Sequence, residues 1–372
     1  MTQLDVRVGT PLAEVETPAL ILDLDPFERN VAKMANYAKS VGVGLRPHAK
    51  THRCPMIARK QIEHGAIGLC CQKVGEAEAL VAAGVRDVLV SNEVLDIRKL
   101  RRLAQLAKIA TISLCFDAPE QVEAASQAAQ ELDVVLGALV EIDMGMWRCG
   151  VAAGEAAAAL AQRIAAAPGL RFLGLQAYEG KAQHLASYEE RKLAIEHAAA
   201  SVRLSISAIE RTGLKCLVVG GGGTGTFRLE GESRLWTELQ CGSYIFMDGE
   251  YAAIVGVDGK PYSEFEQSLF VLTTVMSATA PGRAVLDAGL KSYTLEKGLP
   301  GVLGRSDMRL VAASDEHGTL LLPPGTTLPL GTQLKLIPSH CDPTVNLHDV
   351  IVCVREGIVE ALWPVAARGA SL

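Results

Sequence analysis

Several absences narrow the class of this 372-residue chain before any motif is read. No apolar run is long enough to span a bilayer, so no membrane partner is expected. Lys and Arg are scattered rather than clustered and the net charge is -6, which leaves nothing to hold a nucleic-acid backbone. No basic start followed by an apolar stretch opens the chain, so no secretory signal is expected. The nine cysteines include no CxxC pair, which excludes a zinc ribbon and a dithiol redox site. No solenoid repeat or low-complexity tract is present, apart from the all-Ala run Ala156–Ala159. Cys70, Cys115, Cys216 and Cys353 sit in apolar strand-like runs, where reduced cysteine behaves as a small hydrophobe. A reducing, cytoplasmic compartment is the expectation.

What is present is a chain rich enough in apolar residues, at 49%, to bury a large core and long enough for two domains. From Pro18 to about Gly249 short β-rich runs alternate with Ala/Leu/Glu-rich helical stretches. The strand candidates are 19–24, 42–47, 67–72, 88–91, 112–116, 136–142, 170–177, 216–220 and 239–246. Helices are predicted between most of them, among them 26–41, 75–83, 118–131, 152–167 and 188–212. Such alternation implies a parallel sheet, and this many repeats fits a (β/α)8 barrel of TIM type. Nine candidates exceed the eight strands required, so either the first or the last lies outside the barrel. After Tyr251 the helical patterns stop, and seven strand-like runs separated by Gly and Pro turns predict an all-β domain.

The chemistry-bearing residues fall after the strands, where parallel α/β proteins keep their sites. Lys50 closes Arg46-Pro47-His48-Ala49-Lys50-Thr51-His52. Held at a strand end, its ammonium would be partly desolvated, which lowers its pKa and makes a nucleophile for carbonyls; the alternative is a surface lysine. Gly220 to Gly223, followed by Thr224-Gly225-Thr226, suits a phosphate cradle on a late barrel strand, with a flexible turn as the alternative. The run lacks the lysine of a P-loop and the spacing of a dinucleotide fingerprint. Gln240-Cys241-Gly242-Ser243-Tyr244 is a second Gly/hydroxyl cluster. Arg148, between Gly145 and Gly150, either meets an oxyanion or pairs with Asp143. Tyr178 could pack on a planar ligand, and His184 could move protons or sit solvated on its loop. His340 and Asp342, two apart, would share a face of an extended backbone and suit an open divalent-metal site, with Cys341 turned away.

A lysine, a late phosphate loop and a β domain on one barrel point to pyridoxal 5′-phosphate (PLP). The segments RPHAKTH, CCQKVGEAE, EIDMGMWRCG, LQAYEG, GGGGTGT, ELQCGSYIFMD and PSHCDPTVNLHD resemble, in order and over nearly the whole chain, one branch of the alanine racemase-like, fold-type III PLP enzymes. That branch holds the D-threonine aldolases and D-serine dehydratases. The resemblance implies a PLP-binding barrel over residues 16–250 and a β-strand-rich, metal-binding domain over 251–372, joined by residues 1–24, with 239–246 closing the barrel. It implies that Lys50 carries the cofactor and Arg148 meets its phenolic oxygen. Tyr178 would lie on its ring, and Gly223, Thr224, Gly225, Gly242, Ser243 and Tyr244 would hold its phosphate. Trp147 stands where that motif has its first Gly. Gln240 falls where racemases carry an Arg facing the ring nitrogen, which speaks against racemisation.

His340-Cys341-Asp342 is similar to the aldolase form of the metal motif. Its carboxylate favours Mn2+ or Mg2+, with Zn2+ the softer alternative. The activity implied is cleavage of β-hydroxy-D-amino acids such as D-threonine to glycine and an aldehyde, with His184 as base. A dehydratase or aldolase of D-serine or D-threo-3-hydroxyaspartate and a non-catalytic PLP carrier are the alternatives. A homodimer is implied as well.

Overall fold

The computed structural model describes residues 5–372, so the part of the 1–24 segment before Asp5 lies outside the described residues. Eight parallel strands make the first sheet. In spatial order they are Gly44–Leu45, Glu238–Leu239, Val218–Gly221, Leu170–Gln176, Leu136–Glu141, Thr111–Phe116, Asp87–Glu93 and Leu69–Cys71. A parallel bridge between His48 and Cys70 joins the two ends and closes the barrel. Leu136–Glu141 is buried along its whole length, as a strand covered on both faces must be. Inside the barrel Cys70, Leu89, Cys115 and Leu139 form a small plug. Outside it, helices including Val74–Ala82, Pro119–Glu131, Glu155–Ala166 and Tyr188–Arg211 bury one stripe each against the strands.

Ala19–Asp23 lies in the second sheet. It pairs antiparallel with Leu269–Ala280 and parallel with Val350–Arg355. The chain then leaves through helix Leu24–Val41, which starts on the Asp23 side chain and stops at Gly42, whose φ of 73° only glycine adopts freely. The rest of the nine-stranded sheet is antiparallel and runs from Leu269 to Pro364. A break at residue 251 falls within the short helix Gly249–Ala252. Phe27, Ile245 and Phe246 share one apolar cluster with Leu286, Leu336 and Trp363, so barrel and β domain are welded by a common core.

Two sequence expectations need correction. The run 239–246 is strand only at its start. Past Leu239 the chain turns at Gly242 into a 3-10 helix over Ser243–Ile245. Its apolar residues Tyr244, Ile245 and Phe246 are buried by the junction with the β domain rather than by strand pairing. The second correction concerns His340 and Asp342. They do not share an extended run: His340 is extended but caps the short helix Cys341–Val345, in which Asp342 lies. The cause is tertiary: the buried Asp248 carboxylate accepts the Cys341 N–H at 2.9 Å and starts the helix.

Candidate active site

Residues at the C-terminal ends of the barrel strands line a cavity of about 200 Å³. Lys50, Arg148, Tyr178, His184, Gly223, Thr224, Gln240, Gly242 and Ser243, all singled out from sequence, face it. Lys50 sits on the 3-10 turn Ala49–Thr51, just past the first barrel strand. Its Nζ donates to Asp342 Oδ2 at 2.5 Å, across 292 residues of sequence. Burial alone would lower the Lys50 pKa, as the sequence suggested. Asp342 outweighs burial, and the amine ends above the ordinary lysine range. Burial disfavours the Asp342 carboxylate too, but Lys50 and His340 hold it below the usual range.

Arg148 is half exposed and stands 3.8 Å from Glu141, not beside Asp143. Asp143 is occupied, with Oδ1 accepting the Gly145 and Met146 N–H groups. Burial, against the pull of Lys50 and Arg148, pushes the Tyr178 phenol up to about 12, so it stays neutral. His184 meets Glu250 Oε1 through Nδ1 at 2.5 Å, and Lys297 donates to the same oxygen at 2.7 Å. Burial opposes the Glu250 charge, but these partners hold its carboxyl at about 2. A histidine fixed through Nδ1 presents Nε2 for proton transfer. Gln240 and Gln176 exchange amide hydrogen bonds of 2.7 and 2.9 Å, so the end of the cavity carries no charge there.

Two of the residues expected at the phosphate have a polar group engaged elsewhere. The Gly225 N–H donates to Gln183 Oε1 at 2.9 Å, and Tyr244 turns its phenol into the core to accept from Gln61 at 3.0 Å. The remaining residues fit a phosphate. Thr224 is 1% exposed and its hydroxyl has no partner among the described residues. A Cβ on Gly223 would stand 2.4 Å from Gln183, and one on Gly242 2.3 Å from Thr51 Oγ1, so both positions require bare backbone. His340 Nδ1 is bonded to Glu296, leaving Nε2 as its other ligand atom, and His340 is near enough to Asp342 to stabilise its charge; imidazole plus carboxylate suits a divalent cation. Glu93, Glu141 and Cys149 also bring ligand atoms within 4.8 Å of one another. Burial and then Glu93 raise Glu141, and burial and Glu93 push the Cys149 thiol up to about 12, so these two groups favour their protonated forms.

Sequence reading missed His48, Gln176, Gln183, Asp248 and Glu250. His48 lay in the lysine segment itself. Burial, then Lys50, keeps it neutral, and its Nδ1 accepts the Lys50 N–H at 3.4 Å.

An eight-stranded barrel with a lysine at its mouth and a β domain across it defines the class, and the comparisons agree. The chain belongs to the alanine racemase-like family: the alanine racemase N-terminal domain matches residues 22–250, and a serine dehydratase domain matches 268–354. Among its relatives is the D-threonine aldolase of Arthrobacter sp, 48% identical over 364 residues, spanning 98% of this chain and 95% of the relative. Another is the 3-hydroxy-D-aspartate aldolase of Paracoccus denitrificans strain Pd 1222, 47% identical over 365 residues, spanning 97% and 94%. The crystal structure of D-threonine aldolase from Filomicrobium marinum is similar with a TM-score of 0.96 and 47% identity, covering 99% of this chain and all of that one.

Proposed function

We propose that this chain is a carbon–carbon lyase that cleaves β-hydroxy-D-amino acids such as D-threonine to glycine and an aldehyde. In this reading Lys50 carries PLP, and His340 with Asp342 holds a divalent cation. The observation that carries it is the 2.5 Å contact between Lys50 and Asp342. The amine that a carbonyl cofactor needs and a carboxylate of the metal motif come from different domains and meet at one point. The aldolase relatives support the same reaction.

Bound PLP supplies an electron sink for the pair released at Cα. A divalent cation supplies Lewis acidity at the β-hydroxyl, and the carboxylate of Asp342 favours Mn2+ or Mg2+ over Zn2+. The chain's own residues do the rest. The Gly223 and Thr224 backbone, the Thr224 hydroxyl and Ser243 would hold the phosphate. Tyr178 would lie against the ring, and Arg148 would meet the phenolic oxygen. Gln240, locked to Gln176, would face the ring nitrogen with a neutral amide. His184, oriented by Glu250, takes the proton from the β-hydroxyl on Nε2. As the Cα–Cβ bond breaks, that oxygen becomes the aldehyde carbonyl, and Cα regains a proton to give glycine.

The reading includes a cytoplasmic homodimer, with the β domain of one copy near the barrel mouth of the other. Trp147, 93% exposed beside Arg148, is apolar surface that such a copy would cover. No helix of the described residues is long and apolar enough to cross a membrane.

Product analysis tests the reaction. With Mn2+ and D-threonine the expected products are glycine and acetaldehyde. Formation of 2-oxobutanoate and ammonia would overturn the aldolase reading in favour of a dehydratase, in which the hydroxyl leaves and the Cα–Cβ bond survives.

A further inference from the structure

Arg191 is fully buried, yet every hydrogen bond it makes is to a backbone carbonyl. Its Nε donates to Gly225 O at 3.2 Å, and its Nη1 to Leu185 O and Ala186 O at 2.9 and 3.1 Å. Its Nη2 donates to Val255 O. No carboxylate pairs with it among the described residues. A buried cation without a counterion is costly. It also stands in the first turn of helix Tyr188–Arg211, the end where the macrodipole disfavours positive charge. Neutral donors could satisfy the same carbonyls, so these bonds alone do not explain an arginine.

The neighbouring loop supplies the reason. Gly225, which Arg191 grips, adjoins Thr224, whose buried hydroxyl on the cavity wall has no partner among the described residues. The carbonyls of Gly223, Thr224 and Gly225 all turn away from the cavity: to the Thr226 and Phe227 N–H groups, to the Tyr262 hydroxyl, and to Arg191. Among the described residues no acceptor pairs with the Thr224 N–H, and Thr224 lines the cavity, so that donor is left for a ligand. Val218–Thr226 itself contains no basic residue. We propose that Arg191 is a positioning residue for the cofactor's phosphate: from behind the glycine loop it fixes the carbonyls outward and supplies the positive charge that the loop lacks. The phosphate dianion in turn offsets the cost of burying the guanidinium. This inference rests on the PLP reading above.

The test compares PLP with pyridoxal, which has the same aldehyde and ring but no phosphate. Each is titrated into wild type, Arg191→Gln and Arg191→Lys after removal of bound cofactor, and Schiff-base absorbance reports binding. Arg191→Gln is expected to weaken PLP roughly ten- to hundredfold, the range of a lost charge-assisted contact, while pyridoxal stays within about twofold. Arg191→Lys keeps the charge, so its preference for PLP over pyridoxal should stay within about threefold of wild type. Should Arg191→Gln not fold, Arg191→Lys still decides: loss of its preference for PLP overturns the role of the charge. Equal weakening of both compounds in Arg191→Gln, or of neither, overturns the phosphate role. A wild type that forms a Schiff base with neither compound overturns the PLP reading and this inference together.

Discussion

Lys50 shows what a residue's sequence neighbours reveal and what they leave out. Its place after a short apolar strand, in a burst of charge, marks it as chemical. Its electrostatics are set by Asp342, 292 residues away, and that partner reverses the shift expected from burial. Borohydride reduction of the PLP-loaded protein should therefore fix the cofactor on Lys50. Recovery on Lys73 or Lys181 would contradict the assignment. Glu250 was invisible for the same reason: a lone Glu after the barrel carries no signal until the fold sets it 2.5 Å from His184 Nδ1. On the proposed role of His184 as base, Glu250→Gln should lower kcat by roughly tenfold or more while leaving Schiff-base absorbance unchanged, since the carboxylate would orient His184 without touching the ring. An unchanged kcat would remove Glu250 from the mechanism.

At the scale of elements, the alternating pattern located every barrel strand, because buried parallel strands and their helices differ in both composition and period. It failed at the seams. The run after Leu239 is as apolar as a strand, but its partners lie in another domain. The helix Cys341–Val345 depends on a cap donated by Asp248, 93 residues earlier. Some glycines were also legible only in three dimensions. Gly174, on the strand Leu170–Gln176, has φ 149°, and a Cβ there would stand 1.9 Å from the Val218 carbonyl of the neighbouring strand. Backbone cannot step aside as a side chain can. Gly174→Ala should cost roughly 2–4 kcal/mol in urea denaturation, and a midpoint equal to wild type would show that the barrel wall is softer than its packing implies.

For the whole molecule, stability is tied to groups buried under the site. Burial, against the Thr226 hydroxyl bond, raises the Glu230 carboxyl to about 7. The folded protein thus keeps a proton that the unfolded chain releases near an ordinary glutamate pKa of about 4.3. Between those values the unfolded state binds fewer protons, so this group lowers stability as pH rises toward about 7, with no further loss above it. Glu230→Gln should flatten the fall in Tm from about pH 5 to about pH 8 and be at least as stable as wild type at the upper end. An unchanged slope would show that Glu230 is not the group responsible.

On the proposed reading, the barrel lysine and the His340–Asp342 pair of the β domain are two halves of one site. The sequence displayed both halves, while their meeting required the fold. Chelation of the PLP-loaded enzyme, followed at once by D-threonine cleavage and by Schiff-base absorbance, tests it most directly. Cleavage should stop, absorbance and Tm should persist because a core of this size needs no metal to fold, and Mn2+ should restore activity to wild type but not to His340→Ala. Full D-threonine cleavage in the chelated enzyme would contradict the claim and leave His340 and Asp342 as structure alone.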